Sequence, residues 1–128
     1  MHGTYNIELA APYDIIKQTI FRDSIEAMNV FTVANTDHPI TNSEGMRVLP
    51  DLNYVTDILP KTDVLVIPSV EYYVDSDLED DVLLHFVRAI DKDAQFITSH
   101  CDGAFLLAKA GLLKNVASTT FPSDIDVM

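Results

Sequence analysis

Apolar and polar positions along this chain predict strands and helices in alternation. Four consecutive apolar residues lie within Asp63 to Pro68, a run typical of a strand covered on both faces in a parallel sheet. A second strand is predicted over Gln95 to Ser99, because it contains adjacent β-branched residues. The apolar segment Phe105 to Ala110 predicts a helix that ends at Gly111.

Two more helices are predicted from apolar residues three or four positions apart. The first has Pro12 in its first turn and an apolar face formed by Leu9, Tyr13, Ile16 and Ile20. The second follows an acidic run in which Ser76 and Glu79 have the spacing of a capping box. Its predicted buried face consists of Leu78, Val82, Phe86 and Ile90, with His85 at the edge of the core.

Shorter strands are predicted over Asn29 to Ala34, Met46 to Leu49 and Val116 to Thr120. His38 falls in the loop between the first two and is predicted to be solvated. Strands that alternate with helices at this spacing indicate an α/β sandwich with a mostly parallel sheet. No repeat or linker divides residues 1–128, so we expect a single domain.

Composition narrows the classes of function. The net charge is −12 with only eight basic residues, which argues against nucleic-acid binding. The single cysteine excludes an internal disulfide, and the acidic run fails as a calcium loop because Asp80 and Phe86 stand where glycine and a carboxylate are needed. No segment predicts a membrane span or signal peptide. We expect a cytoplasmic protein without metal or cofactor.

The segment from His100 to Ala104 joins the predicted strand and helix with almost no loop. Cys101 lies at that corner, and Gly103 would relieve the crowding of so sharp a turn. The positive end of the helix dipole would lower the pKa of a thiol there. Two interpretations remain open at this point: a nucleophile, or a buried cysteine that packs as a small apolar residue.

Two other segments are candidates for the same site. Glu8 lies at the start of the first helix, where a carboxylate can simply complement the dipole. Ser69, Val70 and Glu71 follow the strongest strand, at the end where open α/β sheets bind ligands.

Four motifs in order resemble the DJ-1/PfpI superfamily across essentially the whole chain. They are Gly3 to Pro12 with Glu8 between, the strand DVLVIP with its turn at Ser69, the elbow SHCDGAFLLAKAGLL, and STTFP. Within that superfamily the chain is most similar to isonitrile hydratase-like proteins and to the amidotransferase-like sensor domains of some transcription regulators.

The resemblance implies a flavodoxin-like three-layer fold in which Cys101 is the reactive thiol and Glu8 its acidic partner. A protonated Glu8 carboxyl would donate a hydrogen bond to the thiolate and favour the charged sulfur. By the same resemblance, the backbone amide of Asp102 and one from Ser69 or Val70 would form an oxyanion pocket.

The chain departs from the family at several positions. Ser69 and Val70 replace a common Gly-Gly pair, and Asp102 and Phe121 occupy positions where relatives often carry a histidine. His100 precedes the elbow, and strand alternation directs its side chain to the opposite side from that of Cys101. Asp102 is a candidate base toward water or only a first-turn carboxylate.

Relatives usually begin with a further hydrophobic strand and continue past the TTFP motif. The resemblance therefore implies a partial domain, truncated at both ends, and a homodimer that pairs near the elbow.

Three functions follow as hypotheses. The first is an enzyme of hydratase or amidohydrolase type, in which Cys101 adds to a small electrophile and Glu8 and Asp102 handle protons. The second is a non-catalytic sensor or ligand-binding module, with Cys101 open to oxidation. The third is a structural remnant with an inert thiol.

Overall fold

The computed structural model describes residues 1–70 and 74–127. Its four α-helices are α1 (Asn6–Lys17), α2 (Val74–Leu78), α3 (Asp81–Asp91) and α4 (Gly103–Ala110). Its six strands are β1 (Val33–Ala34), β2 (Ile40–Thr41), β3 (Arg47–Val48), β4 (Leu52–Asn53), β5 (Val64–Ile67) and β6 (Phe96–Ser99). Short 3₁₀ helices cover Gln18–Phe21 and Pro122–Asp124. Glu71, predicted to border the site, lies outside the described residues.

The strands form three separate pairs. β5 and β6 are parallel, with Val64 opposite Phe96 and Ile67 opposite Ser99, and β1 and β4 are also parallel. β2 and β3 form an antiparallel pair. The alternation of strands and helices and the parallel pairing are as predicted, but β5 has a described strand partner along one edge alone.

The main core lies where α3 and α4 pack on β5. It consists of Leu65, Ile67, Leu83, Leu84, Val87, Leu106, Leu107 and Ala110. α4 ends at Gly111, whose φ of 88° permits a left-handed cap, as the sequence indicated. The Arg88 side chain donates hydrogen bonds to the carbonyl oxygens of Lys109 and Ala110, and so joins α3 to the C-terminus of α4.

The predicted start of the helix that follows the acidic run is wrong. α3 begins at Asp81, and Asp80 caps it by accepting hydrogen bonds from the backbone amides of Val82 and Leu83. α2 occupies the earlier residues, including Ser76. The later start shifts the buried face, so Val82 is exposed while Leu78, Phe86 and Ile90 pack at the edge of the core. His85 is exposed, not packed as predicted.

Three predicted strands are shorter than expected or absent. Of Asn29 to Ala34, only Val33–Ala34 pairs, and residues 116–120 are irregular. Both segments have high β-propensity, but a strand also needs a neighbour with free backbone groups. Met46 to Leu49 is reduced to β3. His38 is exposed in its loop, as predicted.

Candidate functional site

The elbow between β6 and α4 positions Cys101. Cys101 has a φ of 47°, in the left-handed region that residues other than glycine seldom adopt. This backbone conformation costs about 1–3 kcal/mol. Hydrogen bonds on both sides hold this conformation: the amide of His100 donates to the Ile67 carbonyl, and the amide of Gly103 donates to the His100 carbonyl. The sharp corner predicted from the sequence is present.

Gly103 allows α4 to approach β5. A Cβ at this position would lie 2.8 Å from the carbonyl oxygen of Ile67 and 3.1 Å from that of Pro68. Any larger residue would push the helix, and with it the elbow, away from the strand.

Glu8 and Ser69 meet although they are 61 positions apart in sequence. The backbone amide of Ser69 donates a 2.6 Å hydrogen bond to Oε2 of Glu8. The same turn is held from the other side, because the Tyr5 amide donates to the Ser69 carbonyl and Thr4 pairs with Val70 in an antiparallel bridge. The start of α1 is thereby attached to the C-terminal end of β5.

This contact changes the predicted oxyanion pocket. The Ser69 amide is already bonded to Glu8, so it is not free to face an oxyanion in this structure. The Asp102 amide does hydrogen bond to the Cys101 sulfur and lowers the pKa of the thiol.

Burial raises the pKa of the half-buried Cys101 thiol, and the charges of Asp102 and Glu8 raise it further. Glu8 acts through its charge alone, with no hydrogen bond to the sulfur. The net direction is opposite to the lowering predicted from the helix N-terminus, because burial and two carboxylates outweigh the Asp102 amide and the Ser69 hydroxyl. Burial and the two carboxylates therefore favour the neutral thiol over the thiolate.

The Ser69 side chain was not singled out by the sequence. It is 1% exposed, and its hydroxyl lies close enough to the sulfur to lower the pKa of the thiol. It makes no hydrogen bond of ordinary geometry to any described residue. The sequence indicated this position through its place after the strongest strand and through its backbone amide, but it assigned no role to the hydroxyl.

Thr120 is the second residue that the sequence did not assign. Its hydroxyl lies 3.1 Å from both the Cys101 carbonyl oxygen and Oδ1 of Asp102. Thr120 therefore connects the STTFP motif to the elbow, and its hydroxyl orients the Asp102 carboxylate. Phe121, which follows it, is 53% exposed.

The remaining candidates do not contribute to the pKa of the Cys101 thiol. His100 is exposed and does not influence the pKa of Cys101. Val70 is buried in the turn beside Ser69. Within residues 1–70 and 74–127, no cluster of three or more potential ligands could hold a metal ion, and no helix is long and apolar enough to cross a membrane.

Known proteins share this arrangement of sequence and fold. The DJ-1/PfpI family pattern matches residues 1–128. Isonitrile hydratase from Pseudomonas putida is 30% identical over 114 residues, which cover 89% of this chain and 46% of that enzyme.

Solved structures agree with the fold. A ThiJ/PfpI family protein from Pseudomonas syringae superposes with a TM-score of 0.70 at 26% identity, covering 88% of this chain and 44% of that one. DJ-1 from Schizosaccharomyces pombe gives a TM-score of 0.76 at 20% identity, covering 98% and 67%. The chain thus spans less than half the length of the two Pseudomonas relatives. The α/β, flavodoxin-like fold is confirmed, and the chain belongs to the DJ-1/PfpI family.

Proposed function

We propose that the protein is a cysteine-dependent enzyme that adds water to a small electrophile, with isonitriles as the first substrate class. The observation that carries the proposal is the strained Cys101 corner, where one thiol is influenced by two carboxylates and two hydrogen-bond donors. The similarity to an isonitrile hydratase suggests the substrate class.

The raised pKa of the thiol determines the order of proton transfers. Because Cys101 rests as a neutral thiol, a base must take its proton as the sulfur attacks, and the Glu8 carboxylate is assigned this role. The sulfur bonds to the terminal isonitrile carbon, and Glu8 returns the proton to that same carbon. The intermediate is a thioimidate, R–N=CH–S–Cys101.

Water completes the reaction. Asp102, oriented by Thr120, accepts a proton from water as its oxygen bonds to the thioimidate carbon. Asp102 passes this proton to the imine nitrogen, the C–S bond breaks as the remaining proton of the added water is transferred to the sulfur, and an N-substituted formamide leaves. One isonitrile and one water give one formamide, so no oxidant, reductant or cofactor is consumed.

The test is formamide production from a small alkyl isonitrile, followed by NMR on the whole chain. Cys101→Ser should abolish turnover, and Glu8→Gln should lower it by about 10²–10⁴-fold, the usual contribution of a general base. Glu44→Gln is the matched control, since Glu44 also accepts a backbone amide hydrogen bond, from Asn6, at the start of α1. Equal rates for wild type and Cys101→Ser would refute the proposal.

A sensor function is the second candidate, and one observation favours it. No described histidine is among the groups that shift the Cys101 pKa, although histidine is the commonest general base. In this case the protein would be oxidised at Cys101 by peroxide and would turn over no isonitrile. Intact mass after peroxide treatment, compared with Cys101→Ser, distinguishes the two functions.

We further propose that the enzyme works as a cytoplasmic homodimer on a free small molecule, without a nucleic-acid or membrane partner. Sedimentation velocity of the purified chain tests the dimer, and a monomer at all concentrations would contradict it.

A further inference from the structure

Glu8 is assigned the proton of the Cys101 thiol, yet its carboxylate does not bond to the sulfur. Glu8 influences the thiol through its charge alone. A base takes a proton only from an atom within hydrogen-bond reach, or through one bridging group that can both donate and accept. A bridging group between the sulfur and the carboxylate is therefore needed.

Ser69 contacts both of these groups. Its backbone amide donates a 2.6 Å hydrogen bond to Oε2 of Glu8. Its hydroxyl lies close enough to the Cys101 sulfur to lower the pKa of the thiol. Since only Cα and Cβ separate the amide nitrogen of a serine from its hydroxyl oxygen, the thiol and the carboxylate lie next to the same short side chain.

The backbone of Ser69 is held in place while its hydroxyl has no fixed partner. The amide is bonded to Glu8, and the carbonyl accepts a hydrogen bond from the Tyr5 amide. The hydroxyl makes no hydrogen bond of ordinary geometry to any described residue. A serine hydroxyl is both a donor and an acceptor, and its hydrogen rotates to suit its partners. It can therefore accept a proton from the thiol and donate its own to the carboxylate.

Burial keeps solvent away from the Ser69 side chain. Ser69 is 1% exposed, and Val70, which follows it, is 5% exposed. A buried hydroxyl without a hydrogen bond costs about 1–3 kcal/mol, a cost that alanine at this position would avoid. The hydroxyl is thus better explained by a role in the chemistry than by a contribution to stability.

We propose, on the basis of the enzyme function proposed above, that the Ser69 hydroxyl relays the proton of the Cys101 thiol to Glu8. As the sulfur bonds to the isonitrile carbon, the S–H bond breaks and its proton goes to the Ser69 hydroxyl oxygen. In the same step the original hydroxyl proton passes to the Glu8 carboxylate, which then supplies a proton to the carbon. Ser69 ends the step as a neutral hydroxyl, so it is neither consumed nor charged.

Two rates measured at the same pH on Ser69→Ala separate a relay from a simple effect on the thiol. Alkylation by iodoacetamide follows the fraction of thiolate, because the thiolate is the nucleophile. Isonitrile turnover also requires that the proton reach Glu8. Since a positioned proton-transfer group contributes about 10²–10⁴-fold, turnover should fall at least about tenfold further than alkylation does.

Two more variants complete the test. Ser99→Ala removes a serine hydroxyl from the strand that leads to Cys101, and this hydroxyl does not influence the pKa of the thiol, so neither rate should change. The double variant Glu8→Gln with Ser69→Ala should turn over no more slowly than Glu8→Gln alone, once the change in thiolate fraction is divided out. Groups that act as a unit in one step are not additive in their losses.

Three results would overturn the proposal. Equal losses of turnover and alkylation in Ser69→Ala would indicate that water carries the proton and that the serine only lowers the pKa of the thiol. Losses that multiply in the double variant would assign Ser69 and Glu8 to separate steps. An absence of formamide with the wild type would overturn the enzyme function and the relay with it, whereas the first two results leave that function intact.

Discussion

Replacing Gly103 by alanine tests whether the approach of α4 to β5 sets the thiol environment. The new Cβ would lie 2.8 Å from the Ile67 carbonyl oxygen, whereas ordinary carbon–oxygen contacts begin at about 3.3 Å. The carbonyl cannot turn aside, because it accepts the hydrogen bond from the His100 amide. α4 must therefore move by about 0.5 Å.

The free energy of unfolding that Gly103→Ala loses follows from two opposing effects. Overpacking of this kind costs about 1–3 kcal/mol, and the better helix propensity of alanine returns at most about 1 kcal/mol. We expect a net loss of about 1–2 kcal/mol, and a fall in Tm of about 4–8 °C for a chain of this size. Thermal unfolding followed by circular dichroism measures it.

Gly111→Ala is the control variant, because it should lower the stability of the protein without moving the elbow. Gly111 has a φ of 88° and open space around its Cβ position, so alanine there costs about 1–2 kcal/mol through backbone strain alone. Only Gly103→Ala should change the pH dependence of Cys101 alkylation. A Gly103→Ala protein as stable as wild type, or with an unchanged thiol, would refute the reasoning.

Two further variants follow from single contacts. Ser69→Ala should shift Cys101 alkylation to higher pH, because the serine hydroxyl lowers the pKa of the thiol. The Tm should change little, because that hydroxyl has no hydrogen-bond partner among the described residues. An unshifted pH profile would count against a role for the hydroxyl. Asp80→Ala should lose about 0.5–2 kcal/mol of unfolding free energy, because Asp80 caps α3. An unchanged free energy of unfolding in urea would contradict the assigned cap.

The local parts of this site could be predicted from the sequence. The elbow depends on residues within a few positions of Cys101, and Gly103 was predicted to relieve the crowding of its sharp turn. The structure adds that Gly103 also lets α4 approach the carbonyls of Ile67 and Pro68. Likewise, the continuous apolar run of β5 predicted a parallel strand without knowledge of its neighbours.

Contacts between distant segments could not be predicted in the same way. The raised pKa of Cys101 depends on burial and on Glu8, which tertiary packing brings near the thiol. The cap of α3 was misplaced because several polar residues in a row can each cap a helix. In the structure Asp80 is the cap, and the helix that starts there buries Leu83 and Val87.

The pH dependence of Cys101 alkylation by iodoacetamide, in wild type and in Glu8→Gln, tests the central claim most directly. Glutamine keeps an oxygen that can accept the Ser69 amide but removes the charge that raises the pKa of the thiol. In wild type, the midpoint should lie above the ordinary thiol pKa of about 8.5, and it should fall in Glu8→Gln. Glu44→Gln should leave it unchanged. A wild-type rate that reaches its plateau below pH 8, or a midpoint that Glu8→Gln does not move, would contradict the account of a thiol that burial keeps protonated and whose pKa Glu8 raises further.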